Sequence, residues 1–346
     1  MTMISKFISK SITLTLIVVF SAALGSTSAM AAPIGLPFDF PVPALGSLIW
    51  DDIDNTYGDP VNPVPGSPFT GDCEPSTDAG AIAINDARSS ADNGDAYDTA
   101  WLTSVGDMYV TSPAQGDLTG NLFTAVPVNI SGLDVTYTLF FSEDVQCNRY
   151  VLFLDNNTGA GINEQVSIAT NFGSDGSTIF EATSSGDTMF TTTDRWAVTS
   201  DTFPFSDPIN TTVFFGPGVP ETTPNFATDI VCDDASDEGV GVRYNVFVPA
   251  GESRCLMLFA CLDNITDSGE TVNGAIAGAE LFNSNDTIPG DLLSGLSQQD
   301  LEQCVNWQFG APSSTVPTLS EWGLIAMAGL LGIVGFMVIR RRQATA

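Results

Sequence analysis

The chain has 346 residues, of which 41 are Asp or Glu and 10 are Lys or Arg, with no histidine, giving a formal net charge of −31 at pH 7. A field of that sign repels nucleic acid and anionic lipid surfaces, so roles built on binding either are excluded. The missing imidazole removes Ser-His-Asp and Cys-His catalysis.

In chain order, Lys6 and Lys10 form a basic n-region, residues 12–24 an apolar h-region, and Ala29-Met30-Ala31 puts small residues at the third and first positions before a cut at Ala32. This pattern predicts a secretory signal peptide over residues 1–31 and signal peptidase as a partner. A first transmembrane anchor is the competing reading, but the apolar stretch is short and interrupted by threonine. Within residues 32–317, the five basic residues (Arg88, Arg149, Arg195, Arg243, Arg254) set against forty acids leave a net of −35 with no lysine. Ser-Lys dyads, Schiff bases and phosphate-loop lysines are therefore excluded from that part. Such a surface favours solubility and attracts Ca²⁺ loosely; no other cofactor is expected.

Residues 32–95 are rich in Pro, Asp, Gly and Asn with little apolar periodicity, and are expected to be a loop-heavy lead-in. Residues 96–311 change texture to short β-runs between turns. Val135, Tyr137, Leu139 and Phe141 alternate, as do Val166, Ile168 and Thr170, and Val240, Val242, Tyr244, Val246 and Val248 form the cleanest period-two stretch. Polar turns at residues 174–177, 184–187 and 249–252 separate such runs and suggest hairpins. About nine strands at this spacing, without crossover helices before residue 270, predict an all-β fold: one large antiparallel β-sandwich. Two short C-terminal helices follow, over residues 274–282 and 297–307, the second opening on Ser297-x-x-Asp300, a capping-box variant.

Six cysteines lie in the same region: Cys73, Cys147, Cys232, Cys255, Cys261 and Cys304. An even count in an oxidising compartment reads as up to three disulfides, with the pairing open. Zinc is the rival and fails on ligands, since there is neither a histidine nor a Cys-x-x-Cys pair. Cys255 and Cys261, six apart in an extended strand, would hold their Cα atoms roughly 20 Å apart. Each must pair elsewhere, and Cys304 is placed to tether the second helix to the sheet.

The chemistry that survives these exclusions is that of carboxylates, as in glycosidases that need only two acids about 5–9 Å apart. Glu143, Glu164 and Glu181 lie in or beside strands, where solvated edge positions are the ordinary reading. Trp196 reads as a core residue, with Arg195 facing away toward Asp194 or Asp201. Trp50 and Trp101 are better placed for stacking on a sugar. For loose Ca²⁺ there are two acidic groups, Asp51-Asp52-Ile53-Asp54 and Asp233, Asp234, Asp237 and Glu238; neither has an EF-hand's spacing, and no metal site is assigned.

Residues 312–346 close the chain with a linker, then Val316-Pro317-Thr318-Leu319-Ser320-Glu321-Trp322-Gly323, an apolar run to Ile339, and Arg340, Arg341 and Arg342. The 18 residues from Trp322 to Ile339 would make a helix of roughly 27 Å, just enough to span a bilayer core. The arginines should stay cytoplasmic, with Trp322 at the opposite interface and the body outside. A buried core helix is the rival and sits poorly with three consecutive arginines. This order of parts resembles the IPTL-CTERM sorting domain of Gram-negative bacteria, whose pattern is Ile-Pro-Thr-Leu-x-x-Trp-Gly, a helix and an arginine cluster; Val316 is the one conservative departure. The resemblance implies an exosortase-type membrane protease that recognises Val316, Pro317, Thr318, Leu319, Trp322 and Gly323 and cuts nearby.

Together these features predict an exported envelope or matrix protein, structural or adhesive and without enzymatic activity. A carbohydrate-binding module or carboxylate-only glycosidase, with polysaccharide as partner, and a Ca²⁺-stabilised adhesin are the alternatives.

Overall fold

The computed structural model describes residues 32–54, 83–106, 108–111, 115–231, 237–266 and 269–309. Among them run eighteen strands. In chain order these are β1 (Ala32–Gly35), β2 (Phe38–Pro41), β3 (Ile49–Asp54), β4 (Ala83–Arg88), β5 (Tyr97–Val105), β6 (Met108–Tyr109), β7 (Gln115–Thr119), β8 (Leu122–Ala125) and β9 (Val128–Ile130). There follow β10 (Leu133–Phe141), β11 (Cys147–Asp155), β12 (Ile162–Phe172), β13 (Ile179–Thr183), β14 (Trp196–Ser200), β15 (Asn210–Val213), β16 (Phe226–Val231), β17 (Asp237–Val248) and β18 (Ser253–Leu262). Two helices close the described part, α1 (Val272–Glu280) and α2 (Gln298–Gln303).

The strands form two antiparallel sheets. One is ten-stranded in the order β1-β7-β8-β10-β11-β18-β15-β14-β13, with β9 also on β10; the other is eight-stranded in the order β16-β17-β12-β5-β4-β3-β2, with β6 also on β5. The period-two residues Val240, Val242, Tyr244, Val246 and Val248 of β17 all enter the core shared by the two sheets, which makes the pair a sandwich. There they join Leu152 and Leu154 of β11 and Leu256, Leu258 and Leu262 of β18.

Strand β18 explains a second layer. Its residues 255–262 are apolar without alternation because both faces are covered: Leu256, Leu258, Ala260 and Leu262 point between the sheets, while Cys255, Met257, Phe259 and Cys261 enter a separate core under the C-terminal segment. That core is completed by Ala275 and Ala279 of α1 with Phe282, Leu292 and Trp307. Phe259 lies at its centre, with ring centroids 5.0 Å from Phe282 and 5.4 Å, edge-on, from Trp307. Gly216 runs directly beneath Trp307, where any Cβ would overlap the indole.

Arg149 fastens the same cap electrostatically. It is 1% exposed, lies 4.7 Å from the centroid of the Phe140 ring, and donates from Nη1 to the carbonyls of Leu292 and Ser294. Burial pulls its pKa down to about 10, opposed by Asp291 and Asp300.

Both helices start on side-chain caps. The Thr271 hydroxyl accepts the Gly274 N–H, so α1 begins two residues before the expected 274–282 and tightens into a 3₁₀ turn at Leu281–Asn283. In α2 the capping box forms in both directions: the Asp300 N–H donates to Ser297 Oγ, and the Ser297 N–H to Asp300 Oδ2. That helix stops earlier than expected because Cys304 turns to meet β18.

Two expectations are corrected. The stretch 32–95, expected to be loop-heavy, contributes four strands, β1 to β4, in its described residues and buries Phe38, Trp50, Ile53 and Ile84. Its strands are only four to six residues long, carry interleaved acids, and break register between Phe38 and Phe40, so no period-two signal accumulates. The strand count is twice the expected nine for a similar reason: β6, β7, β8, β9, β13 and β15 have at most five residues each. Among the described residues no helix is long and apolar enough to cross a membrane. The expected signal peptide and the expected transmembrane helix both lie outside the described residues.

Candidate functional site

Four connectors meet at one end of the sandwich: those joining β4 to β5, β10 to β11, β14 to β15, and β18 to α1. Gln146 is the hub. Its Oε1 accepts the Ser90 N–H at 2.8 Å, its Nε2 donates to the Asn264 carbonyl at 3.2 Å, and its own carbonyl accepts from Leu262 at 2.9 Å. A cleft of about 300 Å³ opens beside it, lined in part by Leu45, Ser90, Asp144, Gln146, Ile265 and Thr266.

Three carboxylates lie on the same set of connectors. Asp263, fully buried and held at φ 48°, exchanges two hydrogen bonds with Ile209: its N–H donates to the Ile209 carbonyl, and its Oδ1 accepts the Ile209 N–H at 3.0 Å. Asp201, also buried, closes the β14–β15 connector by accepting from the N–H and Oγ of Ser206 at 2.8 and 2.7 Å. Glu270 accepts from the Asn93 side-chain amide. Burial raises the pKa of Asp263, against the Ser89 hydroxyl and the Ile209 N–H. Burial and then the charge of Asp263 raise that of Glu270, with Asn93 opposing and Asp201 adding. Asp263 and Glu270 thus take up a proton more readily than free carboxylates, and the arrangement offers acceptors to hydroxyl or amide donors. No cluster of His, Cys, Asp or Glu suited to a metal ion occurs among the described residues.

A second acidic locus lies on β2, β3 and β4. Asp51 stands opposite Asp86 across the β3–β4 pair, and the Asp52 N–H donates to Asp39 Oδ1 and Asp51 Oδ1. Burial, followed by a hydrogen bond and charge from Asp39, pushes Asp51 up to about 6. Asp52 and Asp86 are likewise raised, first by burial. Of the acids considered for loose Ca²⁺, Asp51, Asp52 and Asp54 are all residues of strand β3.

The other candidates scatter. Glu164 is in β12 of the eight-stranded sheet, Glu181 accepts from Ser200 Oγ at 2.7 Å near the far edge of the ten-stranded sheet, and Glu143 is in the β10–β11 connector; they form no pair. Trp50 and Trp101 are 0% and 2% exposed and offer no face to a sugar, which corrects that expectation. Trp101 instead donates from Nε1 to Asn148 Oδ1 at 2.8 Å and stacks on Tyr150. Trp196 is buried as expected, but Arg195 turns to Asn283, whose Oδ1 accepts from Arg195 Nη2 at 2.7 Å and from Trp196 Nε1 at 3.1 Å.

Four cysteines are paired. Cys147 and Cys261, register partners on β11 and β18, form one disulfide, and Cys255 of β18 joins Cys304 at the end of α2 in the other. Cys255 and Cys261 are thus not bonded to each other, and Cys304 provides the tether. Cys73 and Cys232 lie outside the described residues, as do Ala29, Ala31, Val316, Pro317, Thr318, Leu319, Trp322, Gly323, Arg340, Arg341 and Arg342, and the side chains of Asp233, Asp234, Asp237 and Glu238. Ala32 is described, as the first residue of β1.

Sequence reasoning missed Gln146, Asp263 and Glu270, and named Asp201 only as a partner for Arg195. They come from separate connectors with no fixed spacing, and only the fold brings them to one end.

Residues 315–343 match the IPTL-CTERM motif. The motif implies an exported, C-terminally sorted protein and processing by an exosortase-type membrane enzyme. No curated protein matches the chain. Among solved structures, similarity extends to a putative kojibiose phosphorylase from human microbiome, at 8% identity and TM-score 0.32 over 58% of this chain and 26% of that one. A galactose mutarotase-like protein from Lactobacillus casei matches at 11% identity and TM-score 0.33, covering 53% of this chain and 95% of that one. A galactose mutarotase related enzyme from Lactobacillus acidophilus matches at 8% identity and TM-score 0.28, over 56% and 95%. This chain therefore spans about a quarter of the phosphorylase. The expectation of a chain without enzymatic activity does not stand against these names, which are those of sugar-processing proteins. Likenesses of this size carry no argument for a reaction or a substrate.

Proposed function

We propose that this is an envelope protein whose acidic, cross-linked β-sandwich is displayed outside the cell in a structural or adhesive role. The observation that carries this reading is the IPTL-CTERM match over residues 315–343. In this account, signal peptidase removes residues 1–31. Residues 324–339 hold the chain in the lipid with Arg340, Arg341 and Arg342 on the cytoplasmic side, and an exosortase-type protease reads Val316 to Gly323. The two disulfides among the described residues fit an oxidising compartment. A surface dominated by carboxylates suits a displayed domain that must stay dispersed in salt.

The test is intact-mass analysis of the protein recovered from its native envelope, beside a Pro317→Ala, Trp322→Ala double variant. The wild type is expected as a body lacking both ends, and the variant as a membrane-held form that keeps its tail. Full-length wild-type protein, freely soluble in the cytosol, would overturn the reading.

A further inference from the structure

The sequence holds two Asn-Gly dipeptides, Asn93-Gly94 and Asn273-Gly274, and the structure places them in opposite surroundings. An Asn-Gly pair is where a backbone nitrogen meets the least steric hindrance in reaching the preceding side-chain carbonyl, because the second residue has no side chain. Asn273 and Gly274 are in the first turn of α1, where the Gly274 N–H donates to Thr271 Oγ1 at 3.0 Å and helical dihedrals fix the backbone.

Asn93 and Gly94 are in the connector from β4 to β5, between Asp92 at φ 72° and Asp95 at φ 66°. Two groups converge on the pair. The Asn93 amide nitrogen donates to Glu270 Oε1, so a carboxyl group sits on the atom that would leave. The half-exposed Arg88 guanidinium, 3.2 Å from Asp92 Oδ1, lies 3.9 Å from where a Cβ on Gly94 would stand, so a positive charge lies beside Gly94.

We propose that Asn93 is a self-modification site, converted to aspartate or isoaspartate through a succinimide, with Glu270 as the proton donor to the leaving amide. The Gly94 nitrogen gives its proton to solvent and bonds to the Asn93 side-chain carbonyl carbon. The bond from that carbon to the amide nitrogen then breaks, and the nitrogen takes a proton from the Glu270 carboxyl and departs as ammonia. Solvent reprotonates Glu270, and one water opens the ring at either carbonyl. The net change is loss of ammonia and gain of water, with no oxidation or reduction. Arg88 favours both the deprotonated Gly94 nitrogen and the oxyanion of the addition step. Burial and the neighbouring Asp263 favour the protonated form of Glu270 that the donation needs, against the hydrogen bond from the Asn93 amide, which favours the charged form and is given up as that nitrogen departs. The product replaces the amide donor of Asn93 with a carboxylate, so the hydrogen bond that ties the β4–β5 connector to the residue preceding the cap of α1 is lost.

The experiment is a time course of the full chain in detergent at neutral pH, with peptide mass mapping of both Asn-Gly sites. Asn93 is expected to convert while Asn273 in the same samples stays intact, and Glu270→Gln should slow Asn93 by about 100-fold, the lower end of what a positioned proton donor supplies. Equal rates at the two sites, or an unchanged rate in Glu270→Gln, would overturn the proposal. If that variant does not fold, the wild-type rate against pH decides. Proton donation by Glu270 requires the rate to level off as that carboxyl titrates, and a rate rising throughout in proportion to hydroxide rejects it.

Discussion

Strand β18 and strand β3 belong to one sandwich and are held by opposite means. β18 buries carbon on both faces and is cross-linked twice, through Cys255 and Cys261. β3 buries Trp50 and Ile53 and carries Asp51 and Asp52 among other acids, with Asp51 directly opposite Asp86. Like charges facing each other across a strand pair oppose the pairing. A chain with this excess of acid thus keeps its carboxylates away from the centre of the ten-stranded sheet and tolerates them near the margin of the eight-stranded one, where few strands depend on them.

The comparison can be broken most forcefully at Phe259. Truncation to alanine opens a cavity between the ten-stranded sheet and its helical cap, and should cost about 4 kcal/mol, read from denaturant or thermal unfolding. Replacing both Cys255 and Cys304 with alanine comes next, at about 3 kcal/mol, and the loss should match that of reducing this bond in the wild type. Ser297→Ala removes the α2 cap and should cost about 1 kcal/mol.

The smallest effect has the opposite sign. Asp51 is raised from 3.8 to about 6 in the folded chain, so folding takes up a proton between those values and the group's contribution to stability falls as pH rises through that window. Asp51→Asn should therefore stabilise at pH 7 by about 1 kcal/mol or less after allowance for solvent screening, and the gain should vanish below about pH 4. A substitution that destabilises at neutral pH would remove the contrast between the two strands.

What the sequence reveals of this fold follows the length of its regular runs. Val240 to Val248 keep period two over nine residues and were legible as a strand, as was the Ser297-x-x-Asp300 cap. Residues 255–262 were legible as a strand but not as one covered on both faces, because continuous apolar character does not say what covers it. β1 to β4 were illegible, since their strands are short and proline or aspartate interrupts the pattern. The carboxylates at the end of the sandwich were hidden for a different reason: Asp201, Asp263 and Glu270 sit just past strand ends or just before a helix, where acids are ordinary, and nothing in their spacing marks them as neighbours. The tail was the most legible part because its signal is linear.

The bond between Cys304 and Cys255 also sets a mechanical route. A pull on the segment that follows residue 309 travels five residues, past Trp307 and Val305, to Cys304, then crosses covalently into β18 near its start and, through Cys261, into β11. Such a load enters at the C-terminal cap of α2 without running through either helix and reaches the ten-stranded sheet at its interior, where neighbouring strands must slide past one another together, rather than at a rim from which they could be unzipped one at a time.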